Sequence, residues 1–326
     1  MIDTETVFIL GSGSSKPYGF PTDADLRMRI IKDFKNDYRK IPYTSDFNSR
    51  LIEFEKNKRT AEAEIFIGRL HDTEGTTTID EFIGINDQYE IIGKIAIQHY
   101  LLEYEKNYLT NRDNDYVSDW FEIVLREMLK ESKEYKNPAL VDSNQVTFLT
   151  FNYDRLIEFL FIKQFTSLFQ ELLNNDINKH QIEFFIYKII HIYGSLGYLP
   201  PRRETDSPSK VNFGEAIQTY ERTRKTISNI RLLKDGFKDC ERIRKKLYNA
   251  KKIYFLGVGY IEKNMKMLDL ENNLNYDDPP QIYGTALHKS KKEIIELIRH
   301  YFNFNKKIPE PIIEPINCKE LMENYF

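Results

Sequence analysis

The sequence predicts an α/β fold in which a doubly wound, mostly parallel sheet carries a large helical insertion. Short apolar runs of strand type alternate with helical patterns, and the first run breaks into a loop rich in glycine and serine. Residues from about 45 to 140 contain no convincing strand but several helical patterns. Strands that alternate with helices form parallel sheets through right-handed crossovers.

The strand predictions rest on short runs rich in β-branched and aromatic residues, each bounded by turn residues. The predicted strands are Val7 to Leu10, Val146 to Thr150, Phe184 to Tyr193, Lys252 to Leu256 and Gln281 to Tyr283. Glycines follow the first, third, fourth and fifth of these runs. A Rossmann-like sheet is therefore expected, with its loops gathered at the carboxyl edge.

The helix predictions rest on apolar residues spaced three and four apart. Thr22 with Asp25 is typical of a capping box at the start of the first helix. The further helical stretches are Ala61 to Leu70, Gln88 to Glu105, Ser118 to Tyr135, Arg155 to Phe169, a stretch after Ile261, and Lys289 to Phe302.

Three regions follow from these patterns. Residues 1–40 and 141–305 are predicted to form the Rossmann-like domain, and residues 41–140 an inserted helical subdomain. Residues 306–326 are predicted to be a C-terminal arm, because Lys306 to Pro315 contains three prolines.

Composition excludes several classes of protein. Apolar residues make up 41% of the 326 residues, which is enough for a core. The net charge of -3 disfavours binding to nucleic acid through overall charge. No apolar stretch is long enough to cross a membrane and no signal peptide is recognisable, so a soluble cytoplasmic protein is expected. The two cysteines, Cys240 and Cys318, are too far apart in sequence for a CxxC zinc motif.

The loop after the first strand is the first candidate site. Gly11, Gly13, Ser14 and Ser15 lie where backbone N–H groups of such folds approach a diphosphate. The spacing is neither G-x-G-x-x-G nor that of a P-loop, which disfavours a hydride-transfer enzyme and a P-loop NTPase. A glycine-serine turn without a ligand is the alternative.

The second candidate is the segment after the second strand, which contains Thr150, Asn152 and Asp154. Asn152 and Asp154 are two residues apart in an extended tip, so both side chains project to one side. An amide beside a carboxylate suits ribose hydroxyls, a carboxamide or an attacking water. The alternative is an Asx turn that caps the next helix.

The third candidate is the end of the third strand, with His191, Tyr193, Gly194 and Ser195. Strand alternation places His191 and Tyr193 on one side. A histidine moves protons near neutral pH, although a buried, hydrogen-bonded core histidine is the alternative. No metal-ligand spacing is present among the six histidines, so no metal site is predicted.

Taken together, these segments resemble the sirtuin family. The loop from Gly11 to Pro21 is similar to the sirtuin G-A-G-x-S…G-[IL]-P pattern, and Thr150-x-Asn152-x-Asp154 to the T-Q-N-x-D segment. Sirtuins place their catalytic histidine directly before a glycine. Here Tyr193 occupies that place, and His191 is the expected functional equivalent.

Two shorter segments extend the resemblance, Gly257-Val-Gly259 and Tyr283-Gly-Thr285-Ala286. The zinc ribbon of deacylating sirtuins is absent, which disfavours deacylation. The resemblance therefore implies a sirtuin-like NADase of the kind found in prokaryotic antiphage defence, which hydrolyses NAD+ without a further cofactor and depletes it in abortive infection.

The resemblance also implies roles for individual residues. Asn152, His191 and Asp154 are expected to be catalytic, with His191 as base. The residues expected to bind NAD+ are Gly11, Gly13, Ser14, Ser15, Pro21, Thr150, Tyr193, Gly194, Ser195, Gly257, Gly259 and Thr285.

Other functions and partners remain open at this point. A sirtuin-like ADP-ribosyltransferase or deacylase is one alternative, and a non-catalytic module that senses NAD or ADP-ribose is another. The resemblance further implies a homo-oligomer, controlled by assembly or by a HerA-type motor ATPase. Residues 221–252 contain twelve Lys and Arg against four acidic residues, so contact with nucleic acid is a further possibility.

Overall fold

The computed structural model describes residues 1–41, 49–73, 78–111, 119–169, 175–200, 210–216, 219–232, 240–302 and 308–326. Within these ranges six strands form one sheet: β1 (Thr6–Leu10), β2 (Val146–Thr150), β3 (Ile189–His191), β4 (Lys252–Leu256), β5 (Gln281–Thr285) and β6 (Ile312–Glu314). Their order is β3-β2-β1-β4-β5-β6, and every neighbouring pair is parallel. The predicted α/β fold class is confirmed.

The helices of the described ranges lie between the strands, except for the last, which follows β6. They are α1 (Asp23–Lys40), α2 (Ser49–His71), α3 (Ile79–Ile85), α4 (Glu90–Thr110), α5 (Trp120–Glu134), α6 (Leu156–Phe169), α7 (Asn175–Tyr187), α8 (Tyr220–Thr226), α9 (Cys240–Asn249), α10 (Glu262–Leu268), α11 (Leu270–Asn273), α12 (Lys291–Tyr301) and α13 (Cys318–Tyr325). The capping box of Thr22 and Asp25 is present at the start of α1. Ser118, the predicted start of α5, lies outside the described residues.

Two hydrophobic cores lie on opposite faces of the sheet. Val7 and Ile9 of β1 face a core formed with α1, α4 and α12, whereas Phe8 and Leu10 face a core formed with α5, α6 and α13. Successive strand residues point to opposite faces, so a strand that is apolar throughout supplies both cores. This arrangement makes the fold doubly wound.

The helices predicted as an insertion pack directly against the rest of the fold. Tyr100 of α4 meets Phe34 of α1 edge to face, with ring centroids 6.3 Å apart. On the other face, Trp120 of α5 donates a hydrogen bond from Nε1 to the carbonyl of Ser14, at 2.8 Å. The helical segment between β1 and β2 therefore contributes to both cores of the sheet.

The third strand is shorter than predicted. Of the run Phe184 to Tyr193, the first residues belong to the end of α7, and β3 spans only Ile189–His191. The Phe185 ring stacks on Phe161 of α6 with centroids 3.7 Å apart, so this apolar residue packs helix against helix. A short apolar run does not by itself distinguish a buried strand from the end of a buried helix.

The C-terminal segment is not an extended arm in the part that the structure describes, from residue 308 onward. Ile312–Glu314 adds β6 to the sheet beside β5, and α13 follows. Leu321 and Met322 of α13 are buried in the core that contains α5 and α6. The prolines restrict the approach to this edge strand, where a missing N–H is tolerated.

We expect the substitution Leu321→Ala to lower the free energy of unfolding by about 2 to 5 kcal/mol, because it leaves a cavity in a packed core. Denaturant unfolding followed by circular dichroism measures the change. Asn324→Ala, at an exposed position of the same helix, is the control and costs less than about 0.5 kcal/mol. Equal stability of the two variants would show that the C-terminal helix is dispensable.

Candidate functional site

A cavity of about 690 Å³ opens at the carboxyl edge of the sheet. Its walls come from the loops after β1, β2, β4 and β5, from the starts of α1 and α3, and from the start of α13. The chain runs outward from β1 to β2 and β3 before it returns to β4 on the other side of β1. Such a reversal separates neighbouring loops and leaves a crevice, which is the usual ligand site of open α/β sheets.

Glycines allow the loops after β1 and β4 to touch along their main chains. A Cβ atom on Gly11 would lie 2.5 Å from the carbonyl oxygen of Gly257, and a Cβ on Gly257 would lie 2.0 Å from the nitrogen of Ser14. Gly257 also has a φ of +61°, which disfavours any other residue. This close crossing forms the floor of the cavity.

The crossing uses most of the N–H groups in the first loop. The nitrogens of Gly11 and Gly13 donate to the carbonyls of Leu256 and Gly257, at 3.0 and 3.1 Å. The nitrogens of Ser14 and Ser15 donate to carbonyls within the loop itself. These four N–H groups are thus already satisfied. Ser12 and Lys16 of the same loop line the cavity.

The structure brings together only some of the predicted site residues. Those that line the cavity are Gly11, Gly13, Asn152, Tyr193, Gly257, Gly259 and Thr285. Those that lie behind its floor, around a void of about 10 Å³, are Ser14, Ser15, Thr150 and Asp154. Pro21, His191, Gly194 and Ser195 line neither space.

Pro21, Gly194 and Ser195, which line neither space, have structural roles. Pro21 is buried just before the N-cap of α1. Gly194 has a φ of +71°, and a Cβ there would lie 1.9 Å from the carbonyl oxygen of Asn229. The Ser195 hydroxyl donates to the carbonyl of Gly197 at 3.2 Å. The contacts of Gly194 and Ser195 belong to the chain reversal after β3.

Asn152 has a fixed orientation. Its Nδ2 donates to the carbonyl of Gly11 at 3.1 Å and to the hydroxyl of Ser15 at 3.2 Å. A carbonyl only accepts, so the amide nitrogen must face Gly11. No described residue donates a hydrogen bond to Oδ1 of Asn152, which lines the cavity. This oxygen is therefore available to accept a hydrogen bond from a bound molecule.

Asp154 supports this arrangement from behind. Its carboxylate accepts a hydrogen bond from the Ser15 hydroxyl at 3.0 Å and another from the nitrogen of Leu156 at 3.2 Å. Burial raises the pKa of Asp154 to about 6, although these two hydrogen bonds oppose the rise. Asn152 and Asp154 both contact Ser15, but Asn152 lines the cavity while Asp154 lies behind its floor, so the two side chains do not both face the cavity as predicted. The Asx-turn contact to Leu156 is present.

His191 lies under the floor and not on the cavity wall. Its Nδ1 is 2.9 Å from the carbonyl oxygen of Asn152, and its Nε2 is 2.6 Å from Oε1 of Glu158. Burial lowers the pKa of His191, but the charge and hydrogen bond of Glu158, the carbonyl of Asn152 and the charge of Asp154 outweigh this effect and raise it. Both ring nitrogens are engaged with protein atoms, which corresponds to the alternative of a buried, hydrogen-bonded histidine.

Tyr193 reaches the cavity in the place where the sirtuin pattern has its histidine. Its hydroxyl donates to Oδ1 of Asn264 at 2.6 Å. Burial, followed by the charges of Asp80, Asp23 and Glu81, raises its pKa far above the ordinary value. The phenol stays neutral at physiological pH, so it can orient a ligand but cannot act as a base.

Sequence reasoning missed an acidic wall formed by Asp23 of α1 with Asp80 and Glu81 of α3. Partial desolvation within the cavity and the charge of Glu81 raise the pKa of Asp23 to about 6, against a hydrogen bond with Ser12. Burial and the charge of Asp23 raise the pKa of Asp80 to about 7. Asp23 remains accessible to solvent within the cavity.

The only sequence signal for this wall was helix capping. Thr22 with Asp25 and Thr78 with Glu81 both form capping boxes, which place Asp23 and Asp80 in the first turns of their helices. Acidic residues are common at such positions because they interact favourably with the helix dipole. Nothing in the sequence indicates that the two helix starts meet.

The basic run at residues 221–252 spans α8, α9 and the start of β4, and its residues 233–239 lie outside the described residues. Arg222 pairs with Glu215 at 2.7 Å, and Nε of Arg244 donates to Asn273 at 3.0 Å. These two charges contribute to packing at the surface.

Comparison with models of known protein families gives no match, and comparison with curated proteins gives none either. In the part of the chain that the structure describes, no group of three or more His, Cys, Asp or Glu side chains could hold a metal ion. No helix in that part is long and apolar enough to span a membrane.

The acidic wall makes stability depend on pH. Because the folded-state pKa of Asp80 is raised to about 7, the folded state binds more protons than the unfolded state between about pH 4 and 7. Stability should therefore fall as pH rises through this range. We expect Asp80→Asn to flatten this fall and to exceed the wild type by about 1 kcal/mol at pH 8, since solvent in the cavity screens part of the repulsion.

Denaturant unfolding of both proteins between pH 4 and 8 measures this difference. Asp277→Asn, which changes an exposed carboxylate outside the cavity, is the control and retains the wild-type pH dependence. Parallel curves for Asp80→Asn and wild type would contradict the repulsion within the wall.

Proposed function

We propose that this protein is a sirtuin-like NAD+ hydrolase that cleaves the bond between nicotinamide and ribose. The observation that carries the proposal is the orientation of Asn152, whose amide nitrogen is fixed by the glycine loop while the residue itself lines the cavity. An amide group held beside the glycine loop can form a hydrogen bond with a ribose hydroxyl or with the attacking water.

The cavity has the dimensions and polarity for such a substrate. A volume of about 690 Å³ lies within the range of small-molecule and cofactor sites. In the proposed pose, Ser12 and Lys16 contact the diphosphate. The adenosine half lies against Gly257, Gly259 and Thr285, and the nicotinamide riboside half lies between Asn152 and the acidic wall.

The proposed chemistry depends on positive charge that develops at C1′. The bond from C1′ to the nicotinamide nitrogen breaks, and its electron pair leaves with nicotinamide, which becomes neutral. Water forms the new bond to C1′ and transfers a proton to a carboxylate of the acidic wall. Asp23 and Asp80 stabilise the oxocarbenium-like state, and pKa values of about 6 and 7 suit a base at neutral pH.

This mechanism assigns the base differently from the resemblance alone. His191 has both ring nitrogens on Asn152 and Glu158, and Tyr193 stays neutral. The role of base therefore passes to the carboxylates of Asp23 or Asp80. Asp154 stays behind the floor, where it accepts the hydroxyl hydrogen of Ser15 and so holds the partner of Asn152.

The proposed biological role is depletion of NAD+ in antiphage defence. An enzyme that consumes NAD+ harms its own cell unless it is controlled, so the proposal includes control by self-assembly or by a HerA-type motor ATPase. The proposed location of the enzyme is the cytoplasm.

One observation favours a second candidate, a module that senses NAD or ADP-ribose without turnover. Tyr193 takes the place of the sirtuin histidine, and its hydroxyl is held by Asn264. A site without a histidine can bind the nucleotide and transmit its presence through the loops. Binding and turnover must therefore be measured separately.

We expect Asn152→Ala to reduce nicotinamide release at least about 100-fold, because an oriented group at the reacting centre contributes several kcal/mol to the transition state. The assay measures nicotinamide and ADP-ribose formed from NAD+ by the purified full chain, and calorimetry measures NAD+ binding in parallel. Asn272→Ala removes an exposed amide outside the cavity and is the matched control.

Release of nicotinamide by wild type and Asn272→Ala but not by Asn152→Ala supports the hydrolase. Binding of NAD+ without release, with the chain alone and with its partner ATPase added, supports the sensing module instead. Absence of both binding and release would refute both candidates.

A further inference from the structure

A buried histidine-glutamate pair lies against the main chain of the residue that carries the proposed function. His191 Nδ1 and the carbonyl oxygen of Asn152 are 2.9 Å apart. Because a carbonyl oxygen only accepts, Nδ1 carries the hydrogen and donates it. Nε2 of the same ring lies 2.6 Å from Oε1 of Glu158, a short contact of the kind that a charged partner favours.

The contact from His191 completes the immobilisation of Asn152. The nitrogen of Asn152 donates to Oγ1 of Thr150 at 3.0 Å, and its carbonyl accepts from His191. The side-chain nitrogen donates to Gly11 and Ser15. The main chain is thus anchored on both sides of the Cα atom. The position of the Asn152 side chain is set by contacts with the glycine loop and with residues behind the cavity floor.

Glu158 is costly in this position unless it serves the histidine. It is 5% exposed, and its Oε2 is buried with no hydrogen-bond partner among the described residues. A buried carboxylate with one unsatisfied oxygen destabilises the fold relative to an apolar side chain of similar size. The contact that it makes is the one to His191. A role at the site explains the pair better than a role in packing does.

The charges around the ring favour the protonated form of His191. Glu158 of α6 and Asp154 of the loop after β2 act on it directly. Beyond Glu158, Glu105 of α4 forms a buried ion pair with Arg155, at 2.6 Å. Burial opposes the charge of the ring, but the neighbouring carboxylates outweigh burial and raise the pKa of His191.

We propose that Glu158 and His191 are positioning residues that hold the main chain of Asn152 in place from behind the cavity, and that they do so as a carboxylate-imidazolium pair. The consequence for turnover rests on the proposed hydrolase, whereas the coupling between His191 and Asn152 does not. When His191 loses its proton at alkaline pH, the carboxylate of Glu158 retains the Nε2 hydrogen because it is the stronger acceptor, and the lone pair of Nδ1 faces the carbonyl of Asn152. Repulsion then displaces the ring and loosens its hold on Asn152.

Glu158→Gln removes the negative charge of the pair but keeps its geometry. The Gln amide can donate to Nε2 of a neutral ring, so Nδ1 keeps its hydrogen and its bond to Asn152. The variant is isosteric and keeps the core filled. Glu158→Ala and His191→Ala break the contact instead, and His300→Ala, at an exposed position of α12, is the matched control for loss of a histidine.

The first test needs no substrate. In nuclear magnetic resonance titrations of the free protein, the His191 ring signal and the Asn152 side-chain amide signal should move with one midpoint above about pH 6.5. In Glu158→Gln that midpoint should fall by about 1 pH unit or more, because the attracting charge is gone. An Asn152 signal that does not respond to His191, or an unchanged midpoint in Glu158→Gln, would overturn the proposal.

The second test measures nicotinamide release against pH. Glu158→Ala and His191→Ala should lower kcat about 10- to 100-fold with little change in KM, because binding contacts remain while orientation is lost. Glu158→Gln should restore most of the loss and abolish the alkaline fall in kcat that we expect of the wild type. Equal kcat values in Glu158→Gln and Glu158→Ala would overturn the positioning role. If the His191 and Asn152 signals titrate together but the wild type releases no nicotinamide, the proposed hydrolase is refuted. The positioning role of Glu158 and His191 then still stands.

Discussion

The contact on which the site depends is the crossing of two main chains at the centre of the sheet. The loops after β1 and β4 approach so closely that Gly11 and Gly257 leave no room for a Cβ atom. This crossing fixes the carbonyl of Gly11, to which the amide of Asn152 is bound. It also fixes Ser14, whose carbonyl receives the indole N–H of Trp120. The glycines of the first loop therefore serve the packing of the protein itself, before any ligand is considered.

Behind this crossing lies a polar layer that is unusual for the interior of an α/β fold. Asn152, Ser15 and Asp154 form one chain of hydrogen bonds, and His191 with Glu158 forms another that ends on the same asparagine. Buried polar groups reduce stability unless each has a partner, so such a layer is informative about function. Its contacts all converge on the orientation of a single amide. The apolar cores on both faces of the sheet supply the stability that this layer does not.

The local parts of the fold were accessible from the sequence because short-range rules govern them. Four of the five predicted strands lie where expected, since short β-rich runs bounded by turn residues leave few alternatives. The run ending at Tyr193 was partly misassigned because Phe185 packs helix against helix. The C-terminal strand and helix were missed because prolines indicate extended chain but not whether that chain joins a sheet. The sequence predicted the glycine loop and Asn152 as site candidates because each belongs to one short segment with a recognisable spacing of residues.

The sequence by itself determined which residues stand at the carboxyl ends of the strands, because that order follows from local pattern and chain direction. Only the tertiary structure decided which of them face the cavity. Alternation along a strand placed His191 and Tyr193 on one side, but the chain reverses directly after β3, so the ring of His191 lies under the floor while Tyr193 reaches the cavity. The acidic wall has the same origin: Asp23 and Asp80 belong to helices far apart in sequence, and only packing brings their first turns together.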